Sequence, residues 1–241
     1  MTVDVELKET NIIQERDEII SFISDVCGIN DRTEININST IPVGRGLGSS
    51  AALSIAIARA KKLTNIREIA NKCEKFIHGN PSGIDVNQVL SDTPLLFSKK
   101  DGAIPLNFNL DSYLLIIDTG VIGITKETLK HIKQNFENYK SYIDELGEIT
   151  EKVIEPLKKK AIEIVGAYMY KAHDLLQKLG VSHESNDDVV NICKNNGALG
   201  AKLTGGGAGG CCIALSKTKE TAGKIQNELA KKGYKSWIVT V

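Results

Sequence analysis

The stretch Pro42-Val43-Gly44-Arg45-Gly46-Leu47-Gly48-Ser49-Ser50 decides how the rest of this chain is read. Upstream of it, residues 34–39 alternate Ile35 and Ile37 with polar neighbours, the pattern of a half-buried strand. Downstream, residues 50–62 carry Ala51, Ala52, Leu53, Ile55, Ala56, Ile57 and Ala58, which predicts a helix apolar on most sides and therefore buried. A strand, a glycine-rich loop and a core helix in that order bring backbone N–H groups and the positive end of a helix to one place, and phosphate is the natural guest. A tight turn capped by Ser49 accounts for the same residues without any ligand. A Walker loop is excluded, because Gly48 is followed by Ser49 and no loop lysine can reach a phosphate.

Working outward, a strand is expected at residues 2–7 and a helix at 13–26, where Ile19, Ile20, Ile23 and Val26 recur at helical spacing. A further helix at 66–77 stops at Gly79-Asn80-Pro81, after which Ser82 reads as the cap of a helix through Leu90. Strands follow at 95–98 and 103–108. A short apolar run at 114–117 is bounded by Tyr113 and Asp118-Thr119-Gly120, and residues 125–179 then turn charged and helical. The shift places a domain boundary near Leu110, giving halves 1–110 and 111–241. The tail reads as a helix at 187–195, the run Gly205-Gly206-Gly207-Ala208-Gly209-Gly210, a strand at 211–215, a helix at 220–232 and a last strand at 236–241. Gly205, Gly207 and Gly210 match the dinucleotide fingerprint, but a strand follows where that fingerprint needs a helix. Six residues so rich in glycine still let main chain approach whatever packs on them, and a close-packed hairpin would need no more.

With 241 residues, 41% of them hydrophobic, the chain can bury two cores. Thirty basic residues balance thirty acidic ones with no long block of either sign, which argues against a nucleic-acid surface or a membrane-seeking face. The five cysteines contain no C-x-x-C pair, so neither a disulfide framework nor a zinc site is indicated and a reducing cytoplasm is expected. No apolar stretch approaches the roughly 20 residues that span a bilayer.

Two carboxylates stand out. Glu74 lies near the end of the 66–77 helix and Asp85 just beyond the Gly79-Asn80-Pro81 break, so a helix, a stop and a new helix could turn both toward the glycine loop. One ligating Mg2+ and the other handling a proton is the division of labour of phosphoryl transfer. Taken singly, Ser82-x-x-Asp85 reads as a capping box, Glu74 as a solvated helix charge, and His78 as a packed or capping histidine. Lys158–Lys160 read as a solvated face, and Trp237 and the cysteines as packing residues.

The loop Pro42 to Ala52 resembles the second motif of the GHMP kinases, and Lys202 to Gly210 resembles the third. Between them, Glu74 with Ile77-His78-Gly79-Asn80-Pro81-Ser82-Gly83-Ile84-Asp85 looks like the mevalonate kinase branch, as does Leu179-Gly180-Val181-Ser182-His183. The resemblance implies a two-domain α+β fold, an S5-like α/β N-terminal half and a ferredoxin-like C-terminal half, with the active site between them. It implies ATP held by Pro42, Gly44, Gly46, Leu47, Gly48, Ser49, Ser50 and Ala51, with Gly205, Gly206 and Gly207 bordering the same cleft. It implies Mg2+ on Ser50 and Glu74, Asp85 taking or orienting the proton of the attacking hydroxyl, and Thr125, His78 and Gly83 on the substrate side, the substrate being mevalonate and the product a precursor for isoprenoid synthesis. A homodimer is a further implication. The family's first motif, with its lysine and histidine, has no match in residues 1–40, so those two roles are unfilled, and either several tens of residues are expected to be missing before this start or the chain is a variant that has lost or rearranged its catalysis. Without a cation beside it, Asp85 in a dry pocket would titrate above its usual range. A GHMP kinase for another small hydroxylated substrate, and a paralogue that binds ligands without turning over, are the competing expectations.

Overall fold

The structure, a computed structural model, describes residues 1–123, 130 and 132–241. Two compact units emerge: the first comprises Met1–Val43 with Leu47–Asn107, and the second comprises Gly44–Gly46 with Phe108–Val241.

In the first unit, β1 (Val3–Glu9) pairs antiparallel with β2 (Thr33–Ser39) in the register Val5↔Ile37 and Leu7↔Ile35. Period-two alternation puts Val5, Leu7 and Ile35 on one face, against Ile23, Ile57, Ile69 and Cys73 from the helices. Those helices are α1 (Glu18–Cys27), α2 (Ser49–Ala60), α3 (Ile66–His78) and α4 (Ile84–Val89). Helix α1 begins five residues later than its periodicity predicts, because the Asp17 carboxylate accepts the Ile20 N–H at 2.8 Å and caps it there, leaving Ile12 and Ile13 exposed. Helix α2 is buried on most sides as read, with Ala51, Ile55, Ile57 and Ala58 covered; its alanines let β1, α3 and α4 all pack against it. Ser82 is not the cap of α4. Gly83, with φ +88°, takes that place, and the helix starts one residue later. A hairpin of β3 (Leu95–Ser98) and β4 (Gly102–Pro105) completes the unit.

The second unit is built on β5 (Tyr113–Asp118), β6 (Gly200–Thr204), β7 (Cys211–Ser216) and β8 (Lys235–Thr240), a fully antiparallel sheet in the order β6-β7-β5-β8. Helices α5 (Phe136–Lys152), α6 (Ile154–Lys158), α7 (Ile162–Lys178) and α8 (Glu184–Asn195) fall between β5 and β6, and α9 (Lys219–Lys231) between β7 and β8. That split βαβ order is the ferredoxin-like arrangement. Strand β5 lies between β7 and β8, and its Leu115 and Ile117 reach zero exposure against Leu203, Val189, Ile225 and Leu229. All five cysteines are free and buried, in keeping with packing rather than cross-linking. Lys158, Lys159 and Lys160 are exposed as read, and Lys160 pairs with Asp111 at the surface. Among the described residues no helix is long and apolar enough to cross a membrane.

Helix α7 crosses β6 glycine on glycine. A Cβ on Gly166 would overlap the Leu199 carbonyl oxygen, and one on Gly200 would overlap that of Gly166. Alanine is favoured over glycine inside a helix by about 1 kcal/mol. Here a rigid backbone carbonyl opposes it, and overpacking of this kind typically costs about 1–3 kcal/mol or more. Gly166→Ala is therefore expected to destabilise the protein, by about 2 kcal/mol net, in urea unfolding followed by circular dichroism. A gain in stability would show that α7 can lift off β6.

Candidate active site

The glycine-rich loop is divided between the units. Gly44–Gly46 belong to the second. There the Gly44 carbonyl accepts the Gly123 N–H at 3.3 Å and the Arg45 carbonyl accepts the Cys211 N–H at 3.1 Å. The Arg45 guanidinium stands 3.0 Å from Asp118 Oδ1 through Nε and donates from Nη2 to the Gly120 carbonyl at 2.9 Å. Gly46 meets the second glycine run backbone to backbone: a Cβ on Gly205 would lie 3.0 Å from the Gly46 Cα and carbonyl oxygen. The run itself is the connection of the β6–β7 hairpin, and it is held from behind. Ala208 N–H donates to the Val181 carbonyl at 2.8 Å, and the buried Asn186 amide both accepts from Gly209 N–H at 3.1 Å and donates to its carbonyl at 3.0 Å.

From Leu47 onward the loop belongs to the first unit. Gly48, at φ +65°, is the N-cap of α2 and offers no side chain, so Ser49 is the first helical residue and not the cap that a tight-turn reading assigns it. The first-turn N–H groups of α2 are left without a side-chain acceptor, which is the condition for an anion to take them. A Cβ at Gly48 would lie 3.4 Å from Asp85 Oδ1, so the Asp85 carboxylate packs directly on the loop at the helix start.

Around that point α3 and α4 bring the other polar groups. Glu74 is 2% exposed, against the expectation of a solvated charge; it flanks the apolar face formed by Ile69, Ala70 and Cys73 and is drawn under with it. Its Oε2 lies 3.7 Å from His78 Nε2, one helical turn on, while its Oε1 has no hydrogen-bond partner among the described residues. The same His78 nitrogen is 3.3 Å from Ser50 Oγ, and the ring is half exposed rather than packed. Ser50, Glu74 and His78 are thus gathered, and Asp85 feels the histidine electrostatically. The Asp85 residue is open to solvent, yet the chain around its carboxyl strips away part of its hydration. That desolvation raises its pKa above the ordinary 3.8, with His78 pulling the other way. Gly83 caps α4 two residues before Asp85, and its carbonyl accepts the Asn87 side-chain amide at 2.8 Å. Thr125 lies outside the described residues. Asp118 and Thr119 went unnoticed in the sequence except as the end of a strand; the one available signal was Arg45, a lone charge inside a glycine loop.

The family described as GHMP kinases N terminal domain matches residues 12–91, and the family described as GHMP kinases C terminal matches residues 153–235. The chain belongs to the GHMP kinases. Within that family its relatives include the mevalonate kinase of Thermococcus sibiricus, 31% identical over 89% of this chain and 69% of its own length. The mevalonate kinase of Pyrococcus furiosus is also 31% identical, over 90% of this chain and 73% of its own. The fold is that of the crystal structure of L. major mevalonate kinase in complex with R-mevalonate, with a TM-score of 0.86 at 24% identity, covering 99% of this chain and 86% of that one.

The raised Asp85 pKa has a consequence for stability. The folded state holds the proton more tightly than the unfolded chain does, so stability falls as pH rises from the ordinary value of 3.8 through the raised one. Asp85→Asn removes that penalty. The variant is expected to equal or exceed the parent in urea midpoint at pH 7 and to lose any advantage below the ordinary carboxyl pKa; a variant weaker at pH 7 would contradict the desolvation.

Proposed function

We propose that this chain is an ATP-dependent mevalonate kinase, transferring the γ-phosphoryl group to the mevalonate hydroxyl to give 5-phosphomevalonate for isoprenoid precursor synthesis. The observation that carries the reading is the Asp85 carboxylate packed on Gly48 at the uncapped start of α2, in a chain whose relatives are mevalonate kinases. An uncapped helix start offers N–H groups and a positive dipole end to the phosphates, and a carboxylate beside it is placed to receive a proton from an attacking hydroxyl. Partial desolvation makes Asp85 a better base than a fully hydrated carboxylate, since its affinity for the proton is raised. The backbone from Gly46 to Ser50, with Pro42, Gly44 and Ala51 shaping the loop, serves the nucleotide, and Gly205–Gly207 serve it from the β6–β7 hairpin.

The donor set suits a divalent cation. Glu74 is a buried carboxylate with one oxygen lacking a partner, and the Ser50 hydroxyl is linked to it through the same histidine nitrogen. Among the described residues no group of three or more His, Cys, Asp or Glu forms a closed metal cage. Two protein oxygens with the rest of the shell from phosphate and water is the habit of Mg2+. Ser50 and Glu74 would hold Mg2+, which when bound neutralises charge on the phosphates. His78, half exposed beside Ser50, and Gly83, two residues before Asp85, belong to the substrate side of this reading, and so does Thr125. A cytoplasmic homodimer completes it; five unpaired cysteines are in keeping with a reducing compartment.

The test is ADP release by the 241-residue chain with Mg-ATP and R-mevalonate, beside galactose and homoserine. Turnover is expected with mevalonate. Asp85→Asn should cut kcat by about 10²–10⁴, the usual worth of a general base, and Glu74→Gln should raise the Mg2+ concentration for half-maximal rate. ATP binding with no turnover on any acceptor would instead mark a ligand-binding paralogue, and preference for another acceptor would keep the kinase and discard mevalonate.

A further inference from the structure

We infer that Asp118 and Thr119, at the end of β5, are positioning residues that set the spacing of the two glycine-rich segments and through it the affinity for nucleotide; this rests on the reading of those segments as a phosphate site. Adjacent residues leaving a strand point to opposite sides, and here each takes one segment. Asp118 Oδ1 accepts the Gly120 N–H at 2.9 Å and faces Arg45 Nε at 3.0 Å, both side chains of the pair being under 20% exposed. Thr119 Oγ1 donates to the Gly210 carbonyl at 2.6 Å, the Thr119 N–H reaches the same oxygen at 3.1 Å, and Gly210 N–H donates back to Val121 at 2.8 Å. One strand end therefore grips Arg45 on one hand and Gly210 on the other, and Gly46 and Gly205 meet with room for hydrogen atoms only.

Neither side chain is suited to touch phosphate itself. The Thr119 hydroxyl is buried and donated to a carbonyl, and a carboxylate would repel the ligand. Asp118 is tolerable beside an anion site because Arg45 neutralises it. An asymmetry follows. Removing Arg45 leaves an unpaired, largely desolvated negative charge next to the loop, whereas removing the Asp118 charge leaves a cation that phosphate tolerates.

The measurement is Mg-ATP affinity by calorimetry, with the KM of both substrates and the thermal midpoint. Arg45→Met should weaken Mg-ATP about tenfold or more, Asp118→Asn about threefold, and the double variant should resemble Asp118→Asn rather than sum the two. Thr119→Val should weaken Mg-ATP about threefold, while Thr119→Ser, which keeps the hydroxyl, should bind as the parent does. The mevalonate KM should stay within about twofold throughout, because a positioning role for the nucleotide segments acts on one substrate only. Unchanged Mg-ATP affinity in Arg45→Met, additive effects in the double variant, or equal weakening of both substrates with a falling midpoint would overturn the inference. A parent that binds Mg-ATP but does not turn over mevalonate would sink the substrate reading alone, since the affinity series needs no acceptor; a parent that binds no Mg-ATP would overturn both.

Discussion

Between Gly46 and Gly205 the main chain comes so close that a single Cβ on the latter would press on backbone atoms of the former. Side chains cannot adapt such a contact, because there are none in it, so its geometry must be imposed by what surrounds it. The antiparallel sheet of the second unit does this through β5 and β7, whose ends supply Asp118, Thr119 and Cys211 as anchors, each through hydrogen bonds of ordinary length. A core with Leu115, Ile117 and Leu203 at or near zero exposure keeps those strand ends from shifting. The hydrophobic core of the ferredoxin-like unit and the shape of the glycine-rich loop are in this sense one design.

The first unit meets a different demand, which is to hold two carboxylates beside the start of α2. Glu74 is buried with one oxygen idle and Asp85 is partly stripped of water, arrangements unfavourable for folding alone. They persist because α2, packed on most sides by β1, α3 and α4, leaves little freedom for the helix start against which they rest. Sites built for function commonly carry such local cost, offset by the packing around them.

Much of this could be read from residues alone. Helix α2 and strand β7 are plain in the spacing of small and apolar residues, the core of β5 shows as an apolar run, and the two glycine motifs in order point to the family. The misreadings cluster where a single backbone choice overrides a pattern. Asp17 caps α1 five residues beyond the start expected for it, and Gly83 displaces Ser82 as the cap of α4. Glu74 shows a different limit: charge on a helix reads as solvated, and only the tertiary neighbours of Ala70 and Cys73 reveal that position 74 goes under with them. Arg45, Asp118 and Thr119 are far apart in the chain, and no local rule joins them.

The assignment of Gly44–Gly46 to the second unit, while the residues on either side belong to the first, means that the chain is not two beads on a string. A cut at the obvious place after Asn107 would take from the second unit the acceptors of the Gly123 and Cys211 N–H groups and the cation opposite Asp118. Isolated from Phe108 onward, the second unit would lack those three residues. The smallest separable form of the second unit therefore includes three residues drawn from the middle of the first.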